Sequence, residues 1–160
     1  MSMRAESSVG ESHNSAKLYT PGLLSLSAAL AAFPLNDGFE NIAETGSRIC
    51  GSSITLGVNC DADTRVQEIG MLLSACAIGQ SSAAVLALSA KGRPAADFHK
   101  TLSDIEAWLA GQGALPEWPE FDALAPALPH AGRHGALLLP WQAMIIALST
   151  EPLSSAASSR

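Results

Sequence analysis

The chain has 160 residues, enough for one hydrophobic core and too few for two ordinary domains. With 48% hydrophobic and 15% charged residues, much of the apolar share being Ala and Leu, it is no disordered polymer but a helix-rich globular chain. Nine Lys and Arg face 15 Asp and Glu, and no stretch gathers the basic residues, which excludes nucleic acid as a default partner.

Residues 1–16 hold almost nothing that could be buried and are expected to form a disordered tail. Residues 151–160 read as a second flexible tail, so the domain is expected over 17–150. From Leu18 to Phe33, the residues Leu23, Leu26, Leu30 and Phe33 recur at helical spacing, with Thr20 and Pro21 in the cap and first-turn positions. The apolar run Leu23 to Leu35 is broken by Ser25 and Ser27 and is shorter than the roughly 20 residues of a spanning helix. It also lies behind Glu6 and Glu11, unlike a secretory signal, so the reading is a cytoplasmic protein with no membrane anchor.

After the loop PLNDGFEN the period changes. In SSITLGVNC, Ile54, Leu56, Val58 and Cys60 alternate with Ser53, Thr55, Gly57 and Asn59, the repeat of a half-buried strand. DADTR is a polar turn, VQEIGMLLSAC is the returning strand, and a third strand precedes them around Glu44 to Cys50. Ser81 and Ser82 are then expected to cap a helix running to Lys91, before Gly92. Pro94 opens another helix, whose Phe98, Leu102, Ile105 and Leu109 share one face. A Pro-rich section holds a short helix around Glu117 to Leu124. The last helix spans Ala136 to Ser149 with Leu137, Trp141, Met144 and Leu148 inward. The order describes an α+β fold: a small antiparallel three-stranded meander with helices packed on one face.

Three cysteines are an odd number, which argues against a disulfide framework and leaves thiols available for metal or catalysis. Cys60 alternates with core residues and reads as a buried thiol. Cys50 lies in RICGSS, where Gly51 leaves backbone room beside the sulfur, and Cys76 lies where a strand gives way to a helix. A helix N-terminus favours anions, and the thiolate is the form that grips soft metals. The meander can bring Cys50 and Cys76 to one sheet edge, and His134, just before the last helix, is a third candidate ligand. His13, His99 and His130 read as incidental, and Trp108, Trp118 and Trp141 as packing anchors.

These residues carry a resemblance. Tyr19, the CGS of 50–52, CAIGQSSA from Cys76 and RHGALLLPWQA at the end fall in an order that resembles the N-terminal domain of NifU and its IscU-like and SufU-like relatives, over roughly Leu18 to Leu148. The long gap from Cys76 to the final motif is closer to the Suf subtype. The resemblance implies a SufE/NifU-like two-layer sandwich that works as an iron-sulfur cluster assembly scaffold and not as an enzyme. It also implies that three cysteines and an aspartate surround an iron-sulfur cluster or a zinc ion, with sulfur arriving from a partner cysteine desulfurase. Carried over, Cys50 matches the first cysteine and Cys76 the second. The aspartate position holds Ser52, and the third cysteine falls at Gly135 or Ala136. His134 is the one nearby ligand type, so the candidate set is Cys50, Cys76 and His134, one donor short of a closed tetrahedral site. A dimer sharing one cluster would supply both thiols twice. Two other readings stand beside this one: a scaffold that lost its cluster and serves as a desulfurase-binding adaptor, and a thiol enzyme with Cys76 as nucleophile and His134 as base, or with Cys50 and Cys76 as a redox pair.

Overall fold

The structure is a computed structural model that describes residues 20–46 and 51–149. Helix α1 (Pro21–Ala29) runs into a 3-10 turn (Leu30–Ala32), followed by strands β1 (Asn41–Gly46), β2 (Ser53–Cys60) and β3 (Val66–Ser74). Helices α2 (Ala77–Leu88) and α3 (Ala95–Leu109), 3-10 segments at Phe121–Ala127 and Ala131–Arg133, and α4 (His134–Ser149) complete the chain. The expected tails, the end of the expected first strand and Cys50 lie outside the described residues.

The α1 start follows its sequence signals: Pro21 opens the helix and the Thr20 hydroxyl accepts from Leu23 N at 3.2 Å. The strands form one antiparallel sheet in the order β1-β2-β3, with Ala43 opposite Leu56 and Leu56 opposite Met71. Those three residues, with Ile54 and Val58, are buried on one face. Helix α4 lies across β1 and β2 on that face, α2 and α3 pack on α4, and α1 packs on α2, giving the two-layer α+β meander the sequence implies. The tryptophans anchor the helical layer: Trp118 stands edge-on to Trp141 at 4.9 Å and Trp108 to Phe121 at 5.6 Å. Arg93 lies 4.0 Å over the Trp118 ring.

On the opposite face Gly57 pairs with Gly70, and Phe39 lies over both. A Cβ on Gly57 would sit 2.6 Å from Phe39 Cγ, so the strand must be bare there for the ring to pack. Among the described residues no helix is long and apolar enough to cross a membrane.

Several expectations are corrected. Cys60 is exposed, because pairing slips between Asn59 and Cys60 and the alternation that turns Ile54, Leu56 and Val58 inward does not carry to it. Ser81 and Ser82 do not cap a helix: α2 starts at Ala77 with Cys76 in the cap position, and both serines are fully buried inside it. Their hydroxyls donate to carbonyls of the flanking helical chain, Ser81 to Leu23 O at 2.7 Å and Ser82 to Leu137 O at 2.6 Å. The helix ends at Leu88, short of Lys91. The short helix of the Pro-rich section is a 3-10 run displaced to Phe121–Ala127, and α4 begins two residues early, at His134.

Candidate functional site

At one end of the sheet Ser53 pairs with Ser74, Ser52 precedes β2, and Ala75 and Cys76 turn β3 into α2. The first turn of α4 comes down beside them. Gly51, Ser52, Ser74, Cys76, Arg133 and Ala136 line an open cleft of about 250 Å³.

Three contacts hold α4 here. Gly79, one turn into α2, lets the two helices close: a Cβ on it would lie 2.7 Å from Ala75 Cβ and 3.3 Å from Ala136 O. Ser82 Oγ donates to Leu137 O, and the Trp141 indole N–H donates to Ser82 Oγ at 2.9 Å. Gln80 ties the turn itself, its Nε2 donating to Ala75 O at 3.0 Å while its Oε1 accepts from Ser27 of α1. Pro140 has no N–H to give the Ala136 carbonyl, so the start of α4 leans on α2 more than an unbroken helix would.

Cys76 is half-buried in the N-cap position of α2, with extended backbone (φ −67°, ψ 173°) and no capping hydrogen bond through its side chain. Cys76 thus lines the cleft while packing in part against the hydrophobic core, and its side chain is not spent on capping the helix. Cys50 is outside the described residues, but its neighbour Gly51 is on the cleft wall. His134 is not among the lining residues: its ring nitrogen Nε2 is 2.9 Å from Leu128 O, at the end of the Phe121–Ala127 3-10 segment. Arg133, its neighbour, lines the cleft instead. The alternative positions for the third cysteine separate in space, since Ala136 is on the wall and Gly135 is not.

Among the described residues the wall carries one cysteine, two serines and one arginine, and no carboxylate or imidazole. Among the described residues no three His, Cys, Asp or Glu side chains converge. A closed zinc site needs four N, S or O donors, and a two-iron cluster usually takes four as well. Cys76 with Cys50 would give two sulfurs, so the donors among the described residues, even with Cys50 added, do not make a closed metal site. The serines are what sequence reading underused: Ser74 faces Ser53 at the last rung of the sheet, a register that only the pairing discloses.

No protein-family model and no curated protein matches the chain. Solved structures do. A nitrogen-fixing NifU-like protein (N-terminal) from Brucella abortus is 23% identical with a TM-score of 0.76, over 83% of this chain and 93% of that one. A putative iron-sulfur cluster assembly scaffold protein for the SUF system from Fervidobacterium islandicum AW-1 is 21% identical with a TM-score of 0.67, over 82% and 96%. A third structure, of a hypothetical protein, is 18% identical with a TM-score of 0.61, over 80% and 97%. The likeness is one of fold, and it defines the class: the chain has the U-type scaffold fold, a three-stranded antiparallel sheet under helices.

Proposed function

We propose that this chain is a scaffold-like component of iron-sulfur cluster assembly that accepts sulfur from a cysteine desulfurase at the cleft, with Cys76 as receiving thiol and Cys50 as its companion. The supporting observation is a half-buried cysteine on the wall of an open cleft at the strand-to-helix turn, in a fold shared with the SUF-system scaffold. In this reading the protein turns over no substrate of its own, and sulfur is its cargo. Iron or zinc, where held, would have Cys50 and Cys76 as sulfur donors. The test is incubation with a cysteine desulfurase and sulfur-labelled cysteine, followed by separation of the two proteins. Label should appear on the wild type and be lost in Cys76→Ser; an unlabelled wild type, or equal label on Cys76→Ser, refutes the proposal.

The adaptor reading is favoured by one observation, that the cleft wall carries Ser52 where the resemblance places an aspartate, and Ala136, one of the two positions, with Gly135, at which it places the third cysteine. It predicts that a Cys50→Ala, Cys76→Ala double variant still binds the desulfurase while carrying no sulfur, and binding that needs either thiol dismisses it.

A further inference from the structure

We infer that Gln80 is a positioning residue for Cys76, and that Ser27 makes this positioning depend on the seating of α1. The inference rests on the sulfur-accepting reading only for the use made of the thiol; the geometry of the turn stands without it. Gln80 holds both peptide carbonyls that flank the Cys76 Cα: its side-chain Nε2 donates to Ala75 O at 3.0 Å, and its backbone N–H donates to Cys76 O at 3.0 Å. The backbone bond is the ordinary first bond of an α-helix. The side-chain bond is an addition, reaching back five residues to the peptide that precedes the cap. Cys76 does nothing to fix its own backbone, since its side chain makes no capping hydrogen bond. Its φ of −67° and ψ of 173°, which set where the side chain leaves the wall, are therefore held from Gln80.

Gln80 is itself held in one orientation. The Ser27 hydroxyl on α1 donates to its Oε1, and because Ala75 O can only accept, the amide satisfies both partners only with Nε2 turned to that carbonyl. Helix α1 is seated in turn by Leu23 and Leu26, both buried, and by Ser81, whose hydroxyl donates to Leu23 O. A chain of contacts thus runs from α1 through one amide to the peptide before Cys76. Neither Ser27 nor Gln80 lines the cleft, so both act on the thiol through the backbone alone. Both are half-buried, where water can take up a lost bond, so removing either falls on the local turn more than on global stability.

The experiment uses the full chain and follows its alkylation by iodoacetamide, with peptide mapping to read Cys76 apart from Cys50 and Cys60. Gln80→Met keeps the length and helix preference of the side chain and removes the amide. It should raise the Cys76 rate about 5-fold, the factor that the loss of one net hydrogen bond gives a local opening, while Cys60 at the other end of β2 reacts as in the wild type. Ser27→Ala should raise the Cys76 rate by less, and by nothing further in a Gln80→Met background. Ser81→Ala controls for loosening in general: it removes a buried bond between α1 and α2 that does not reach the turn, so it should lower the urea midpoint and leave the Cys76 rate as it was. A wild-type Cys76 rate in Gln80→Met overturns the inference, and so does an equal rise in Ser81→Ala. An undiminished effect of Ser27→Ala in the Gln80→Met background removes α1 from it. In a second arm, with a cysteine desulfurase and sulfur-labelled cysteine, Gln80→Met should take up label about 5-fold more slowly, and uptake at the wild-type rate overturns the positioning role. A wild type that takes up no label defeats the proposed function instead, and the alkylation arm still decides whether Gln80 holds the thiol.

Discussion

The substitution Ser82→Ala tests the joint that carries α4 to the cleft. Ser82 and Trp141 are both 0% exposed, and the serine hydroxyl at once accepts the indole N–H at 2.9 Å and donates to Leu137 O at 2.6 Å. Alanine leaves the indole N–H buried with no partner, at about 1–3 kcal/mol, and removes the bond to Leu137 O, worth about 1 kcal/mol net. The better helix propensity of alanine returns roughly 0.5 kcal/mol. The expected loss is about 2–3 kcal/mol. For a chain of this size it lowers Tm by roughly 4–10 °C and shifts the urea midpoint with the slope unchanged. The decisive assay is a double-mutant cycle with Trp141→Phe, read by urea unfolding. Phenylalanine has no N–H to strand, so in that background Ser82→Ala should cost only about 1 kcal/mol, and the coupling between the two sites should be about 1–2 kcal/mol. Additivity within about 0.5 kcal/mol, or a Ser82→Ala protein as stable as the wild type, refutes the joint.

Two further substitutions check the outer face of the sheet and its hairpin. Gly57→Ala drives a methyl to 2.6 Å from Phe39 Cγ and should destabilise by about 1–3 kcal/mol in urea unfolding; the cost should vanish in a Phe39→Ala background, and a stabilised Gly57→Ala single variant would contradict the packing. The Cys60 thiol is held above the usual thiol range, first by partial burial and then by the negative charge of Asp61. Since only the thiolate reacts, iodoacetamide should label Cys60 more slowly than free cysteine at pH 8, with a rate that rises through a midpoint above the ordinary one. Asp61→Asn keeps the oxygen that accepts from Asp63 N and Arg65 N but removes the charge, so it should speed labelling, and peptide mapping that finds no change rejects the charge as a cause.

The sequence disclosed the layers where one period dominates. The alternation at Ile54, Leu56 and Val58, and the Thr20–Pro21 start of α1, are local signals, and the structure places both as expected. It misled where a long-range partner outweighs the local preference. Ser81 and Ser82 look like caps because serine hydroxyls readily bond nearby backbone, but Leu23 and Leu137, more than 50 residues away in either direction, take those bonds. Cys60 looked buried because a strict period of two assumes an unbroken ladder, and one register slip ends it. At the site, the turn that presents Cys76 follows from the change of period. That Arg133 and not His134 lines the cleft goes with the end of the Phe121–Ala127 segment, where Leu128 O bonds the imidazole, and no periodicity encodes that.

The frame of the cleft and its chemistry are held by different residues. Gly79, Ser82 and Trp141 fix where α4 begins relative to α2 through close backbone approach and buried hydrogen bonds, and none of them contributes a lining side chain. Ser52, Arg133 and Ala136 decide what the cleft can bind, and of these Arg133 is solvent-exposed. A change at such an exposed wall position costs little stability, since surface substitutions usually stay within about 0.5 kcal/mol. Ser52 and Ala136, in contrast, are buried at 6% and 1% exposure, so a change at either is felt by the packing around it, at Ala136 by the seat of α4 on α2, whereas Arg133 can vary at little cost to the frame.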